Sequence, residues 1–326
     1  MVNGKSDASR HPLAVCRLFF LFQPALFLAC FAAICSVAAA QSISVADDRG
    51  RRVVLAAPAQ RIIVLAPSLA ELAFAAGAGG RLVGVARHSD FPPAAREITQ
   101  VGDAARIDFE RIVALKPDLI LAWKSGNSPT DVSRLEGLGY PAFVSEPARL
   151  SDIPRLLRAI GALAGTLPAA GKTAAEFERE IGALRGRYAK ARTVRVFYQI
   201  WHRPLLTVNG AHMISDAIAL CGGENVFADV TQLTPSITLE AVIAAKPEVI
   251  LGGGSAGGEK EFVAQWRASS VPPLRALPVH HINPDHIQRQ SPRIVEGAKA
   301  VCAALEQVRT NRQDAKTPRK SRNGQD

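Results

Sequence analysis

Hydrophobic spacing divides the chain around one stretch, Leu167 to Ala191 (LPAAGKTAAEFEREIGALRGRYAKA). Pro168 suits a first helical turn. Phe177, Ile181, Leu184 and Tyr188 then recur at steps of four, three and four, the apolar stripe of one long amphipathic helix. At 1.5 Å per residue such a helix spans on the order of 35 Å, about the width of a small domain. On either side of it the chain repeats one pattern. Phe109 to Trp123 (FERIVALKPDLILAW) and Leu239 to Gly253 (LEAVIAAKPEVILGG) each set a Glu at the head of an apolar helical run and stop that run with Lys-Pro. In both, an acidic residue and a burst of Leu, Ile and Val follow, the mark of a buried strand.

The flanks of the two copies also correspond. Arg61 to Leu65 (RIIVL) and Arg195 to Ile200 (RVFYQI) open each half as buried strands, each followed by a helical stretch and a glycine pair, Gly79-Gly80 and Gly222-Gly223. Leu138 to Val144 (LGYPAFV) precedes a helical stretch over 150–163, and Leu274 to Ile282 (LRALPVHHI) precedes one over 292–308. Strands alternating with helices of ten to fifteen residues predict βαβ units and parallel sheets. The expected architecture is α/β: an N-terminal lobe over 41–166, a linking helix over 167–191, a C-terminal lobe over 192–308 and a basic, disordered tail over 309–326.

Residues 1–40 read differently. Lys5, Arg10 and Arg17 precede a long apolar run, and Ala38-Ala39-Ala40 supplies small residues for cleavage, which predicts an export signal and a periplasmic location. An uncleaved membrane anchor is the alternative, given the length of the run. Lipid attachment at Cys30 or Cys35 lacks the usual Leu-small-small sequence before the cysteine. Outside this segment only Cys221 and Cys302 remain of 5 cysteines, either one disulfide in an oxidising compartment or two separate buried thiols.

The formal charge of +10 suggests nucleic acid until it is located. The first 40 residues carry +2 of it and the last 18 carry +4, leaving +4 on the body, with no basic stripe interleaved with aromatics. Nucleic acid is therefore not an expected partner. HExxH, GxxxxGK[ST] and CxxC are all absent, so no catalytic set is expected. His280, His281 and His286 cluster in sequence, but neighbours on a strand face opposite ways and no dedicated metal site or resident cofactor is expected. A metal-dependent enzyme on a two-lobed scaffold is the alternative from another class.

Binding residues are expected at the carboxyl ends of the strands, where open α/β sheets take their ligands. Arg87 to Pro93 (RHSDFPP) brings His88, Asp90 and Phe91 to that rim in the first lobe, and Trp123 ends a later strand. In the second lobe Tyr198, Trp201 and His202, then Asp285, His286 and Arg289, occupy equivalent places. Glu71 and Glu240 head helices in the two lobes. The helix dipole alone favours such acids, and a pair of exposed acids also suits docking onto basic residues of a partner.

ELAFAAG (71–77), SDFPP (89–93), ERIVALKPDLILAW (110–123), CGGENVF (221–227) and SPRI (291–294) resemble the metal-chelate class of periplasmic binding proteins, those for ferric chelates and cobalamin, over about 61–308. The resemblance implies two Rossmann-like lobes joined by a single helix. It implies capture of cobalamin or a related corrinoid between them, and delivery to the transmembrane subunits of an ABC importer by a monomer. Haem or a ferric siderophore is the alternative cargo. By the same resemblance Trp123, Asp285 and Arg289 fall on ligand-contacting positions, Glu71 and Glu240 on transporter-docking positions, and Cys221 and Cys302 on a disulfide. His88, Ala104 and Thr234 stand where corrinoid-binding members have aromatics. Trp201 is expected to replace part of that wall, and His88 is a candidate axial ligand to the cargo's metal.

Overall fold

The computed structural model describes residues 42–254 and 258–316. It begins with an antiparallel pair that sequence spacing did not reveal, β1 (Ile43–Ala46) against β2 (Arg52–Leu55). Two four-stranded parallel sheets follow, one in each lobe. The first contains β3 (Ile62–Val64), β4 (Leu82–Val85), β5 (Leu119–Trp123) and β6 (Ala142–Ser145), in the spatial order β4-β3-β5-β6. The second contains β7 (Val194–Gln199), β8 (Gly223–Asn225), β9 (Val249–Gly252) and β10 (Val279–His281), in the order β8-β7-β9-β10. Taken from each lobe's own first strand, both orders are 2-1-3-4. The repeat read from sequence is a repeat of topology.

The internal units match closely. Asp108 and Thr238 cap the helices Phe109–Ala114 and Leu239–Ala244, accepting from Arg111 N at 3.0 Å and Ala241 N at 3.3 Å. After each helix a lysine, Lys116 or Lys246, adopts φ 47°. That left-handed residue ends the helix, and the proline behind it prevents resumption.

Period-two alternation sorts the buried strands between two faces. Ile62, Val64, Leu119 and Leu121 pack with Val194, Val196, Val249 and Leu251 in one core that also takes in Phe177, Ile181 and Tyr188. Ile63 and Ile120 face a separate cluster on the outer side of the first lobe, and Phe197 and Ile250 face another outside the second. One continuous core therefore runs through both lobes and the linking helix.

That helix is Leu167–Tyr188, ending with the last residue of the stripe and three residues short of the expected 167–191, because the chain turns at Ala189 to enter β7. Tyr188 anchors the turn by donating to Glu306 Oε2 at 3.0 Å. Cys221 and Cys302 form a disulfide between the end of the helix Met213–Leu220 and the helix Ile294–Lys316. The last helix corrects the expected tail: it continues through residues 309–316. Val308 is buried, and Arg309 holds this end down by donating to Cys221 O at 2.7 Å and Arg192 O at 2.8 Å. Residues 317–326 and the expected export signal lie outside the described residues. Among those described, no helix is long and apolar enough to cross a membrane.

Candidate functional site

Loops leaving the carboxyl ends of both sheets enclose a cleft of about 550 Å³ between the lobes. The first lobe contributes Trp123 and Ser125 after β5, and Glu146, Pro147 and Ala148 after β6. The second contributes Ile200 after β7, then Ala211, His212, Met213, Gln232, Leu233, Thr234, Gln288 and Gln290. This is where two facing α/β lobes should hold a ligand.

A tight turn positions Trp123. Asn127 Oδ1 accepts from Trp123 N at 2.7 Å, while Asn127 Nδ2 donates to Leu65 O and Ala104 O, each at 3.0 Å. Gly126 is required because a Cβ there would stand 1.8 Å from the indole Cε3. The indole Nε1–H has no hydrogen-bond partner among the described residues. On the same lobe stands Glu146, whose carboxylate accepts from Ser125 N at 2.8 Å and Ser125 Oγ at 3.0 Å.

Across the cleft, His212 caps the helix Met213–Leu220, its Nδ1 accepting from Ile214 N at 3.1 Å. The preceding loop is fixed by Asn209, which accepts from Ser215 Oγ at 2.7 Å, and by Asn225, which donates to Val208 O at 2.7 Å. Burial disfavours the imidazolium, with no charged partner to offset it, and pushes the His212 pKa down to about 4.

A second polar cluster joins the lobes beside the cleft. Glu71, in the helix Pro67–Ala75, is 2% exposed. It accepts from Arg289 Nη1 at 3.0 Å, Ser291 Oγ at 2.5 Å, Arg293 Nε at 2.9 Å and Arg293 Nη2. Arg289 also reaches Asp90 at 2.6 Å and Asp285 at 3.0 Å. Burial works against the Arg289 charge, but the bonds to Asp90 and Glu71 more than offset it and hold the guanidinium above its ordinary pKa. The Arg289 hydrogen bond likewise holds Asp90 below the usual carboxylate range. The Arg293 guanidinium lies 4.1 Å from the centre of the Phe91 ring.

The sequence profile of the family described as "Periplasmic binding protein" matches residues 62–275. The chain belongs to that family. It is 36% identical over 255 residues to the vitamin B12-binding protein of Vibrio parahaemolyticus, covering 78% of this chain and 92% of that one. Against the vitamin B12-binding protein of Yersinia pestis it is 38% identical over 252 residues, covering 77% and 88%. Among solved structures, the periplasmic vitamin B12 binding protein of Vibrio cholerae superposes with a TM-score of 0.71 at 34% identity, covering 77% of this chain and 98% of that one. The periplasmic heme-binding protein of Roseiflexus gives 0.66 at 22% identity, covering 76% and 98%, a likeness of fold alone. The fold is that of the class III periplasmic binding proteins, two parallel α/β lobes on one helix.

The residues expected at the site separate into three groups. Trp123 lines the interlobe cleft, and so does Thr234. Asp90, Phe91, Asp285 and Arg289 gather in the cluster with Glu71 and are not among the cleft's lining residues. Trp201 and His88 lie apart from both. Trp201 is 57% exposed and borders, with His202, a separate hollow beside Phe262, its indole donating to Arg203 O at 3.0 Å. It turns outward because Ile200, its neighbour, takes the inward position. His88 is exposed in a left-handed turn, φ 67°, and does not line the cleft.

Glu71 corrects another expectation. It is not an exposed acid, because the second lobe closes over it with two arginines and a serine. Glu240 is exposed, at the head of Leu239–Ala244. Its counterpart in the repeat is Glu110, equally exposed at the head of Phe109–Ala114. That pairing was visible in the sequence, since both lead the repeated Glu…Lys-Pro unit. Sequence reasoning also passed over His212, Gln232, Gln288 and Gln290. Gln288 and Gln290, on either side of Arg289 in sequence, line the cleft, whereas Arg289 turns to Glu71.

Proposed function

We propose that the protein is an exported solute-binding protein that holds cobalamin or a related corrinoid between its lobes and passes it to an ABC importer, making and breaking no bond. One observation carries the choice of cargo. The cleft is lined by three glutamines, Thr234, Ser125, a neutral His212 and Trp123; among the described residues its lining has no lysine or arginine, and the one charged side chain, Glu146, is negative. Propionates of haem or the anionic groups of a siderophore would be desolvated here against no cation, at a cost of several kcal/mol. A corrin edged with amides finds matching donors and acceptors, with the Trp123 ring against its apolar area. The relatives named for vitamin B12 support the same cargo.

Titration of the purified protein with cyanocobalamin and with haemin, following tryptophan fluorescence, tests this. Saturable one-to-one quenching by cyanocobalamin alone is the expected result. A Soret shift with haemin and no response to cyanocobalamin would refute it.

For delivery, Glu110 and Glu240 form the symmetric pair of exposed acids that suits basic residues of a two-fold importer. Glu110→Arg or Glu240→Arg should reduce stimulation of the importer's ATPase while leaving cobalamin binding unchanged. Stimulation at the wild-type level would remove these residues from the interface.

A further inference from the structure

We propose that His212 is a specificity-determining residue of the cleft: a fixed Nε2–H donor to an uncharged oxygen of the cargo, and not a ligand to its metal. This rests on the corrinoid reading above and adds a named contact to it.

A backbone N–H can only donate, so the ring nitrogen that accepts from Ile214 N at 3.1 Å carries no proton. In a neutral imidazole the proton then sits on Nε2. The ring lines the cleft beside Met213 and the three glutamines, and Nε2 has no hydrogen-bond partner among the described residues. With its lone pair occupied by the proton, Nε2 cannot enter the coordination sphere of cobalt or iron. Moving that proton to Nδ1 would set two donors against each other and uncap the helix. His212 is thus held as a neutral donor. It suits the carbonyl of a corrin-edge amide and lacks the charge that would reward a carboxylate. A site built around one such donor discriminates against cargo that leaves it unpaired.

The test is calorimetric titration of cyanocobalamin into wild type and His212→Asn, with the visible spectrum of aquocobalamin, whose water exchanges readily for imidazole, recorded on both. Asn keeps a capping acceptor and removes Nε2. The expected result is affinity about tenfold weaker in the variant, as for loss of one hydrogen bond. The urea midpoint should be unchanged, and the bound aquocobalamin spectrum should show no imidazole-type shift. If the Asn variant melts early, His212→Ser, also a capping residue, replaces it. Equal affinity, or a wild-type spectral shift that the variant lacks, overturns the proposal. Wild-type protein that binds no corrinoid sinks the cargo reading and this proposal together, whereas wild-type binding with an unaffected variant sinks this proposal alone.

Discussion

Glu71→Gln should destabilise the protein far more than neutralising a better-aligned but exposed pair. In the native cluster four donors converge on two oxygens: Arg289 Nη1 and Arg293 Nη2 on Oε1, Ser291 Oγ and Arg293 Nε on Oε2. In either orientation, a glutamine at 71 presents its NH₂ to two of those donors. Arg289 would keep Asp90 and Asp285, so the charge left without a carboxylate is Arg293, which retains one bond to the amide oxygen and the Phe91 ring. Breaking a buried pair costs about 3–5 kcal/mol. The Arg293 side chain retains 18% exposure, so water offsets part of this and about 3 kcal/mol is expected. The comparison is Glu178→Gln, which breaks a bidentate pair with Arg158 at 2.7 and 2.8 Å whose side chains are nearly half exposed. That change should cost below about 1 kcal/mol. Urea unfolding followed by circular dichroism measures both. Adding Arg293→Met to Glu71→Gln should recover part of the loss, since no charge then stays buried alone. If Glu71→Gln loses no more than Glu178→Gln, the cluster does not hold the lobes and the burial argument fails.

Four other outcomes are expected. The folded His212 titrates near 4 against 6.5 unfolded, so the unfolded chain binds the extra proton between those values and stability falls with falling pH across that window. The loss across the whole window, relative to the neutral ring above pH 6.5, is about 3 kcal/mol. The nearby acids do not compensate, since Glu146 is bonded to Ser125 and Asp216 to Leu150 N at 2.8 Å. His212→Asn should flatten that part of the urea-midpoint profile. Reducing the Cys221–Cys302 bond, which spans 81 residues, should cost about 4.5 kcal/mol by loop entropy, read as a lower urea midpoint in dithiothreitol. Gly126→Ala should displace the Trp123 ring and weaken cobalamin binding in calorimetry more than it lowers the melting temperature, whereas equal affinity would mean the ring is not a wall of the site. Small-angle scattering with and without cobalamin should show little lobe closure, and closure by tens of degrees would contradict the continuous core.

Topology was legible because duplication printed it twice. Lys116-Pro117 and Lys246-Pro247 end equivalent helices, and the apolar bursts behind them become β5 and β9, so each half confirmed the other. The β1–β2 pair escaped because ISVA and RVVL are four residues each with only one face partly covered, too short for period-two alternation to stand out. At the site, side-chain direction was the missing quantity. Arg289 and its neighbours Gln288 and Gln290 share one turn, but the arginine is drawn to Glu71 and leaves the glutamines to the cleft. Trp201 and Ile200 show the same ambiguity across one peptide. His212 was unmarked because its role depends on which ring nitrogen a backbone N–H engages, and no residue pattern states that.

The two polar features answer different physical demands. The charges of the cluster beside the cleft, Glu71, Asp90, Asp285, Arg289 and Arg293, satisfy one another, so they fix the separation of the lobes. Leu150 N to Asp216 adds a further tie from the first lobe to the second. The cleft is therefore left to neutral donors and acceptors at a spacing set in advance. Preorganisation of that kind raises affinity by removing the ordering cost of binding, and it also fixes polarity. A charged cargo would have to draw Arg289 out of a cluster in which it already serves three carboxylates. An uncharged, amide-edged ring asks nothing of that cluster, so in this fold the structural ion network and the choice of cargo are two sides of one arrangement.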